Sequence, residues 1–308
     1  MRVLVTGGSG YLGAAIVRAL QDRGCAPVVF ARHASGSGLP GILIDGDVRD
    51  RDAIRRAAMG VDGESHAAAL VSVWRKRATD FDEVNVDGLR NVLDTCRETG
   101  IERIVYTSSF LALPPRGAAA PLEANDYQRT KVRALDLARR AAADLPLAIL
   151  FPGVVYGPGA VTEGNLVGRL IADHLQGRLP GLIGADRPWS YAFVDDVAAA
   201  HVTALQRGAR GEFGVGGENA PQMRVFEIVR DLRGVALPRR IPFAAARLGA
   251  MIEEARAGWS GHPPLLTRGI VDIFRCDWSV DSARSISDLS YRIRPLSEGI
   301  PPTLASIG

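Results

Sequence analysis

Thr6-Gly7-Gly8-Ser9-Gly10-Tyr11-Leu12-Gly13 is the stretch that decides the fold of this chain. It follows a short apolar run, Val3 to Thr6, and opens an amphipathic stretch, Tyr11 to Arg23, that Gly24 closes. A strand that turns into a helix through glycines brings bare backbone up to the helix N-terminus. There the free N–H groups and the helix dipole attract a phosphate. The stretch fits Gly-x-Gly-x-x-Gly from Gly8 and Gly-x-x-Gly-x-x-Gly from Gly7 equally well. On a strand-turn-helix, either pattern predicts a turn that holds a dinucleotide pyrophosphate.

The same rhythm continues outward. Val28 to Ala31, Ile42 to Ile44, Asp62 to Ala68, Ile104 to Thr107 and Leu147 to Phe151 read as strands. Between them lie helical stretches at Asp52 to Ala58, Phe81 to Thr99 (closed by Gly100) and Tyr127 to Ala143. Strand, helix, strand at this spacing predicts an α/β fold with a doubly wound parallel sheet. Beyond Pro152 the rhythm weakens and glycine and proline crowd in, as at Tyr156-Gly157-Pro158-Gly159. The expected division is a dinucleotide-binding domain over 1–155, to which 193–215 returns, and a smaller C-terminal α/β substrate-side domain over 156–308. Ala112 to Pro121, rich in proline and glycine, reads as a flap.

Composition narrows the function. With 47% hydrophobic and 23% charged residues and a formal charge of +3, the 308-residue chain reads as an ordinary soluble globular protein. Its arginines are scattered rather than blocked, so neither nucleic acid nor a membrane is expected as a partner. Cys25, Cys96 and Cys276 match no metal spacing, and no metal site is expected. An odd, low cysteine count and an N-terminus that enters a strand at once, without a leader, suit the cytoplasm.

Of 37 basic residues only Lys76 and Lys131 are lysines. Lys131 stands four residues after Tyr127, so on a helix the two share a face. An ammonium is a compact point charge that fits beside a phenol and ribose hydroxyls together, which a planar guanidinium does not. The second strand ends in Ala31-Arg32-His33, where an NAD site usually has an acid for the ribose 2′-hydroxyl. Arg32 suits a 2′-phosphate instead, favouring NADP(H) with NAD(H) as the alternative. Asp47, followed by Val48, is placed to receive the adenine amino group or to cap the next helix.

Four motifs recur in order: the glycine turn, His66-Ala67-Ala68-Ala69, Tyr106-Thr107-Ser108-Ser109, and Tyr127-x-x-x-Lys131. With Pro152-Gly153-Val154-Val155 and Tyr191-Ala192-Phe193-Val194-Asp195-Asp196, they make the first 215 or so residues resemble the extended short-chain dehydrogenase/reductases. Among these the chain is similar to the NAD-dependent epimerase/dehydratase group and its dihydroflavonol reductases. The resemblance implies a Rossmann-type sheet, with Gly7, Gly10, Tyr11, Leu12 and Gly13 at the pyrophosphate. Ala67, Ala68 and Ala69 would pass beneath the cofactor, and Pro152 and Val155 would border the nicotinamide amide.

By the same resemblance Tyr127 is the acid/base, and Lys131 tunes it and holds the nicotinamide ribose. Ser109 donates to the substrate oxygen, with Ser108 as the fallback although strand alternation turns it away. Asp195 and Asp196 are structural, His66 is a satisfied core histidine, and the helices Phe81 to Thr99 and Tyr127 to Ala143 pair subunits in a homodimer. Three departures stand out: Gly63-Glu64-Ser65 in a strand that should be apolar, a short segment between Ser109 and Tyr127, and Phe151 where an arginine often stands.

Two reactions compete. One is NADP(H)-dependent reduction of a ketone or aldehyde in a small, moderately apolar molecule, which Arg32 and the apolar Val71-Ser72-Val73-Trp74 favour. The other is an NAD-dependent nucleotide-sugar epimerase or dehydratase. In that same stretch the chain resembles hopanoid-associated sugar epimerases, and Arg239-Arg240 suits a diphosphate. The reductase is the expected activity. A non-enzymatic dinucleotide sensor on this fold would tend to lack the Tyr127 and Lys131 pair.

Overall fold

The computed structural model describes residues 1–307. In chain order its first half runs β1 (Arg2–Thr6), α1 (Tyr11–Asp22), β2 (Ala26–Ala31), β3 (Ile42–Asp45), α2 (Arg51–Ala57), β4 (Gly63–His66), α3 (Thr79–Asp82), α4 (Gly88–Thr99), β5 (Ile104–Thr107), α5 (Asp126–Ala141) and β6 (Leu147–Pro152). The second half runs β7 (Val154–Tyr156), α6 (Leu166–Leu175), β8 (Leu182–Ile183), β9 (Pro188–Phe193), α7 (Val194–Arg207), β10 (Gly211–Val215), β11 (Glu218–Pro221), α8 (Gln222–Arg233), β12 (Arg240–Ile241), α9 (Phe243–Ser260), α10 (Arg268–Phe274), α11 (Ala283–Leu289) and α12 (Leu296–Ile307).

Seven strands form one parallel sheet in the order β10-β6-β5-β4-β1-β2-β3, the doubly wound arrangement the sequence predicts. Strand order reverses beside β1, which has β2 on one side and β4 on the other. In such sheets the usual ligand site lies at the carboxyl ends of the strands at this point. Ile16, Val17 and Leu20 of α1 and Val197, Ala198, Val202 and Leu205 of α7 cover one face. Ile54 of α2, Leu89, Val92 and Leu93 of α4 and Leu135 and Ala138 of α5 cover the other. At about 1.5–3 kcal/mol for each fully buried branched side chain, these layers hold the crevice rigid.

The structure differs from the sequence reading at two places. The strand expected over Asp62 to Ala68 is only Gly63–His66, which leaves Ala67 to Ala69 as free-running backbone. The helix expected over Phe81 to Thr99 is interrupted by a π-helical turn, Glu83–Asp87, before α4 ends at Gly100 with φ +68°. Residues 194–207 form α7, which lies on the main sheet beside α1, and β10 joins that sheet beside β6. A smaller sheet, β11-β9-β7, and the pair β12-β8 build the second half around Trp189, Tyr191, Phe193 and Trp278.

Candidate active site

The glycine turn lies at the point where strand order reverses. Gly7 has φ +74°, and a Cβ there would stand 2.5 Å from the Ala68 Cα. The Gly10 N–H donates to the Gly7 carbonyl at 2.9 Å, and a Cβ on Gly13 would stand 2.1 Å from that same oxygen. Of the two glycine patterns, Gly7-x-x-Gly10-x-x-Gly13 is therefore the one that closes on itself; Gly8 instead packs on Val29. The N-terminus of α1 has no side-chain cap and no acid in its first turn, which leaves its N–H groups free for an anion. Bare backbone facing an uncapped helix fits a pyrophosphate. Leu12 packs against the α1 core, while the Tyr11 hydroxyl donates to the Gly157 carbonyl at 3.0 Å and ties the turn to the second half.

At the end of β2, Arg32 is exposed. Asp47 accepts from the Arg49 backbone N–H at 3.0 Å and from its guanidinium at 3.0 and 2.7 Å. These bonds, chiefly the Arg49 side chain and to a smaller degree the charge of Arg32, hold the Asp47 carboxyl below the usual carboxylate range. Asp47 does not cap α2: Asp50 does, accepting from the Ala53 N–H at 3.0 Å, because it alone immediately precedes the first turn. Val48 is buried beneath Gly88. Arg49 escaped sequence reasoning, since one arginine among many carries no local signal.

α5 begins at Asn125, whose side chain accepts from the Gln128 N–H at 2.8 Å, and it presents Tyr127 and Lys131 one turn apart. Lys131 is buried; its Nζ donates to the Thr107 carbonyl at 3.2 Å and sits 5.5 Å over the Tyr106 ring. Burial brings its ammonium down to about 8. Tyr127 is half-buried, and desolvation pushes its phenol up to about 12 against the opposing pull of the Ser109 hydroxyl. Ser109 also accepts from the Leu111 N–H at 3.2 Å, capping the short turn Phe110–Ala112. Ser108 stands beside Tyr106 instead.

The Ala67-Ala68-Ala69 backbone leaves β4 over Gly7, and the next residue, Leu70, is gripped by Asn85. The Asn85 Oδ1 accepts from the Leu70 N–H at 2.7 Å, and its Nδ2 donates to Thr130 Oγ1 on α5 at 3.0 Å. Asn85 lies in the π-helical turn, a distortion often found at functional sites, and joins the segment that leaves β4 to the Tyr127 helix. Sequence reasoning missed Asn85 and Thr130. The available signal was an asparagine between Val84 and Val86 inside a helix. Val71 and Val73 are exposed on the following loop, with Ser72 buried between them.

Glu64, which looked foreign to a strand buried on both faces, keeps its place because Thr6 on β1 meets it. Thr6 Oγ1 donates to Glu64 Oε1 at 2.9 Å and lies 2.7 Å from His66 Nδ1. Burial raises the Glu64 carboxyl to about 8, so it is neutral at pH 7 and costs far less than a buried charge. Burial, assisted by the Lys131 charge, drives His66 down to about 3. The expectation of a satisfied core histidine holds for one nitrogen only: His66 Nε2 has no partner among the described residues.

Pro152 ends β6, and Val155 lies on β7 just beyond. Phe151 is buried and lines a cavity of about 260 Å³ with Phe110, Leu113, Phe213 and Trp278. The cavity adjoins the segment that follows Ser109, whose Arg116 N–H donates to the Asp277 carbonyl at 3.0 Å. Asp195 and Asp196 lie in the first turn of α7, where Asp196 meets Arg294 at 3.3 Å. Arg239 and Arg240 are exposed at β12, and Arg240 pairs with Asp186.

Residues 3–216 match the model of the family described as NAD dependent epimerase/dehydratase. The chain belongs to that family. As an NAD dependent epimerase/dehydratase family member it is 36% identical, over 78% of its length and 76% of the other, to sterol demethylase protein B of Methylococcus capsulatus. It is 33% identical to the 2-alkyl-3-oxoalkanoate reductase of Stenotrophomonas maltophilia, over 86% of this chain and 87% of that one. Among solved structures, the UDP-glucose 4-epimerase of Thermus thermophilus in complex with NAD superposes with a TM-score of 0.75 at 27% identity, covering 100% of this chain and 99% of the other. Family members of this kind are NAD(P)-dependent enzymes acting on small molecules.

Proposed function

We propose that this family member reduces a ketone or aldehyde in a moderately apolar small molecule, using NADP(H). The observation that carries the reading is the convergence of three groups: Tyr127 stands beside Ser109 and one turn from the buried Lys131 ammonium, which is fixed to the end of β5, and its phenol is protonated in the neutral range. A held proton is what a carbonyl oxygen needs as it becomes an alcohol. In this reading Ser109 donates to the carbonyl oxygen and orients it, Tyr127 delivers the proton, and Lys131 stabilises the phenolate left behind. Bound NADP(H) supplies the hydride. Gly7, Gly10, Tyr11, Leu12 and Gly13 would hold its pyrophosphate, Asp47 and Val48 would meet its adenine, and Ala67, Ala68, Ala69, Pro152 and Val155 would line the rest of its site. Residues 1–155 with 193–215 carry the cofactor and the remainder shapes the substrate.

Arg32, exposed at the end of β2 where an acid would mark NAD, supports NADP(H). The cavity beyond Phe110, lined by Phe151, Phe213 and Trp278 together with the charged Arg116, Glu212, Asp277 and Asp281, suits a substrate that is only moderately apolar; relatives named for sterols and for alkyl-oxoalkanoates support the same reading. Nucleotide-sugar epimerisation with NAD is the second reading, supported by the Thermus thermophilus likeness. Titration with NADPH and NADH, followed by turnover with a panel of carbonyl compounds, separates them. Net NADPH oxidation supports the reductase; tightly retained NAD without net oxidation overturns it in favour of the epimerase. A homodimer through α4 and α5 is part of the proposal, and sedimentation equilibrium tests it.

A further inference from the structure

We infer that the outer face of α9 docks on an anionic lipid bilayer, and that the protein draws a lipid-soluble carbonyl substrate from it; the substrate half of this proposal rests on the reductase reading above. α9 buries only Ala246, Ala250 and Ala257. Its opposite side carries Leu248, Met251, Ile252 and Trp259, exposed at 61%, 51%, 60% and 97%. At 100° per residue these four, with Ala244, Ala245 and Ala255, fall within an arc of about 120° that contains no charge. Leu265, 86% exposed, follows just beyond the helix. Large apolar side chains this exposed and this aligned mark an interaction surface rather than scattered surface leucines.

Charge selects the occupant. Arg247 and Arg256 border the apolar arc on its two sides, Arg247 paired with Asp272 at 3.0 Å and Arg256 with Glu253 at 2.7 Å. The acids of the helix are turned back: Glu253 is held by Arg256 and the Leu265 N–H, and Glu254 by Arg268. Residues 239–275 contain six arginines against three acids. Arg240, Arg247, Arg256 and Arg268 pair with Asp186, Asp272, Glu253 and Glu254, and Arg239 and Arg275 have no ion-pair partner among the described residues, so a net positive charge remains beside the arc. An apolar stripe flanked by arginine, with a tryptophan at one end, has the character of a helix lying in a membrane interface beside anionic headgroups. A second copy would bring this arginine border against its own like. No helix among the described residues is long and apolar enough to cross a membrane, so the contact is peripheral.

The surface leads towards the active site. From Leu265 the chain enters α10, where Gly269 is so close to the segment before Tyr127 that a Cβ would stand 2.0 Å from the Ala124 carbonyl. At the other end of α10, Phe274 packs on Trp189, which packs on Phe110 of the cavity (ring centroids 4.7 and 6.1 Å apart). α10 thus links α9, on whose buried side it packs through Val271 against Ala246 and Ala250, to the residues beside Ser109 and Tyr127.

The full chain should be floated with vesicles of phosphatidylcholine alone and of phosphatidylcholine with about one-third phosphatidylglycerol, at low and high salt. Binding to the anionic vesicles, weakened by salt, is expected, together with a blue shift of fluorescence that is lost in Trp259→Phe. Trp259→Ser, and the triple variant Leu248→Ser, Met251→Ser, Ile252→Ser, should each lose at least about tenfold in binding. Both should reduce a dispersed, water-soluble carbonyl compound as fast as the wild type. Absence of vesicle binding, or binding that survives both variants, overturns the inference. So does a dimer that the triple variant dissolves, which would give the face to a second copy. Vesicle binding as described with no carbonyl reduced leaves the docking intact and fells the reductase reading instead.

Discussion

Lys131 donates a hydrogen bond of 3.2 Å to the carbonyl oxygen of Thr107, the last residue of β5. Thr107 is itself anchored, its hydroxyl lying 2.9 Å from His201 Nε2 on α7. The ammonium is thereby fixed to the end of the sheet rather than to its own helix, and Tyr127, one turn back, is fixed with it.

Replacement of Lys131 by methionine removes a buried charge while keeping its volume. Such replacements are often neutral or stabilising, so thermal unfolding should show no loss of stability. Turnover should fall by about 10²- to 10⁴-fold, the usual worth of a positioned acid–base group and its partner. Lys131→Arg should not restore it, because a guanidinium has neither the size nor the point charge. A stable variant with wild-type turnover would remove Lys131 from the reaction.

Tyr127→Phe should lower kcat by about 10²- to 10⁴-fold and leave the NADPH dissociation constant within about twofold, since a proton donor acts in the chemical step. Stopped-flow turnover beside fluorescence titration makes the comparison. A loss confined to cofactor binding would argue against an acid role.

The pH profile of carbonyl reduction carries the signature of Lys131. Its ammonium is lowered to about 8 by burial, and the proposed mechanism requires its charge, so kcat/KM should decline as pH rises through about 8. Tyr127, at about 12, keeps its proton across that range and adds no limb of its own. A rate flat from pH 7 to well above 9 would contradict the assignment.

Glu64 predicts how stability depends on pH. Its carboxyl is raised from 4.5 to about 8 in the folded protein, which therefore binds more protons than the unfolded chain between those values. Stability from this group falls as pH rises through that window. His66, lowered from 6.5 to about 3, and His201, lowered to about 4, act in the opposite sense only below 6.5. Between about 6.5 and 8 the melting temperature should therefore fall, and Glu64→Gln should flatten it. An unchanged slope in that variant would show that Glu64 is ionised in the folded state.

Arg32→Ala should weaken NADPH by about tenfold, or roughly 1.4 kcal/mol for a lost charge-assisted contact, and leave NADH unchanged. Equal effects on the two would take the 2′-phosphate away from Arg32. Isothermal titration of both nucleotides decides it.

What the sequence determined by itself is local in the chain. The glycine turn reads directly because Gly7, Gly10 and Gly13 serve one strand-to-helix turn. The Tyr127 and Lys131 pair reads directly because helical spacing alone puts both on one face. Gly100 closes α4 as its position predicts. Only tertiary structure could choose Gly7 over Gly8, since the reason is the Ala68 backbone, which arrives from β4. The same holds for Glu64, whose tolerance in β4 depends on a threonine 58 residues away, and for Asn85, which joins Leu70 to Thr130 across 15 and 45 residues. The exposed stripe on α9 was hidden for a related reason: an apolar helical face reads identically whether a core covers it or nothing does. Short-range periodicity records which way side chains point along one element. Which partner meets them is settled only when strands and helices distant in sequence pack together.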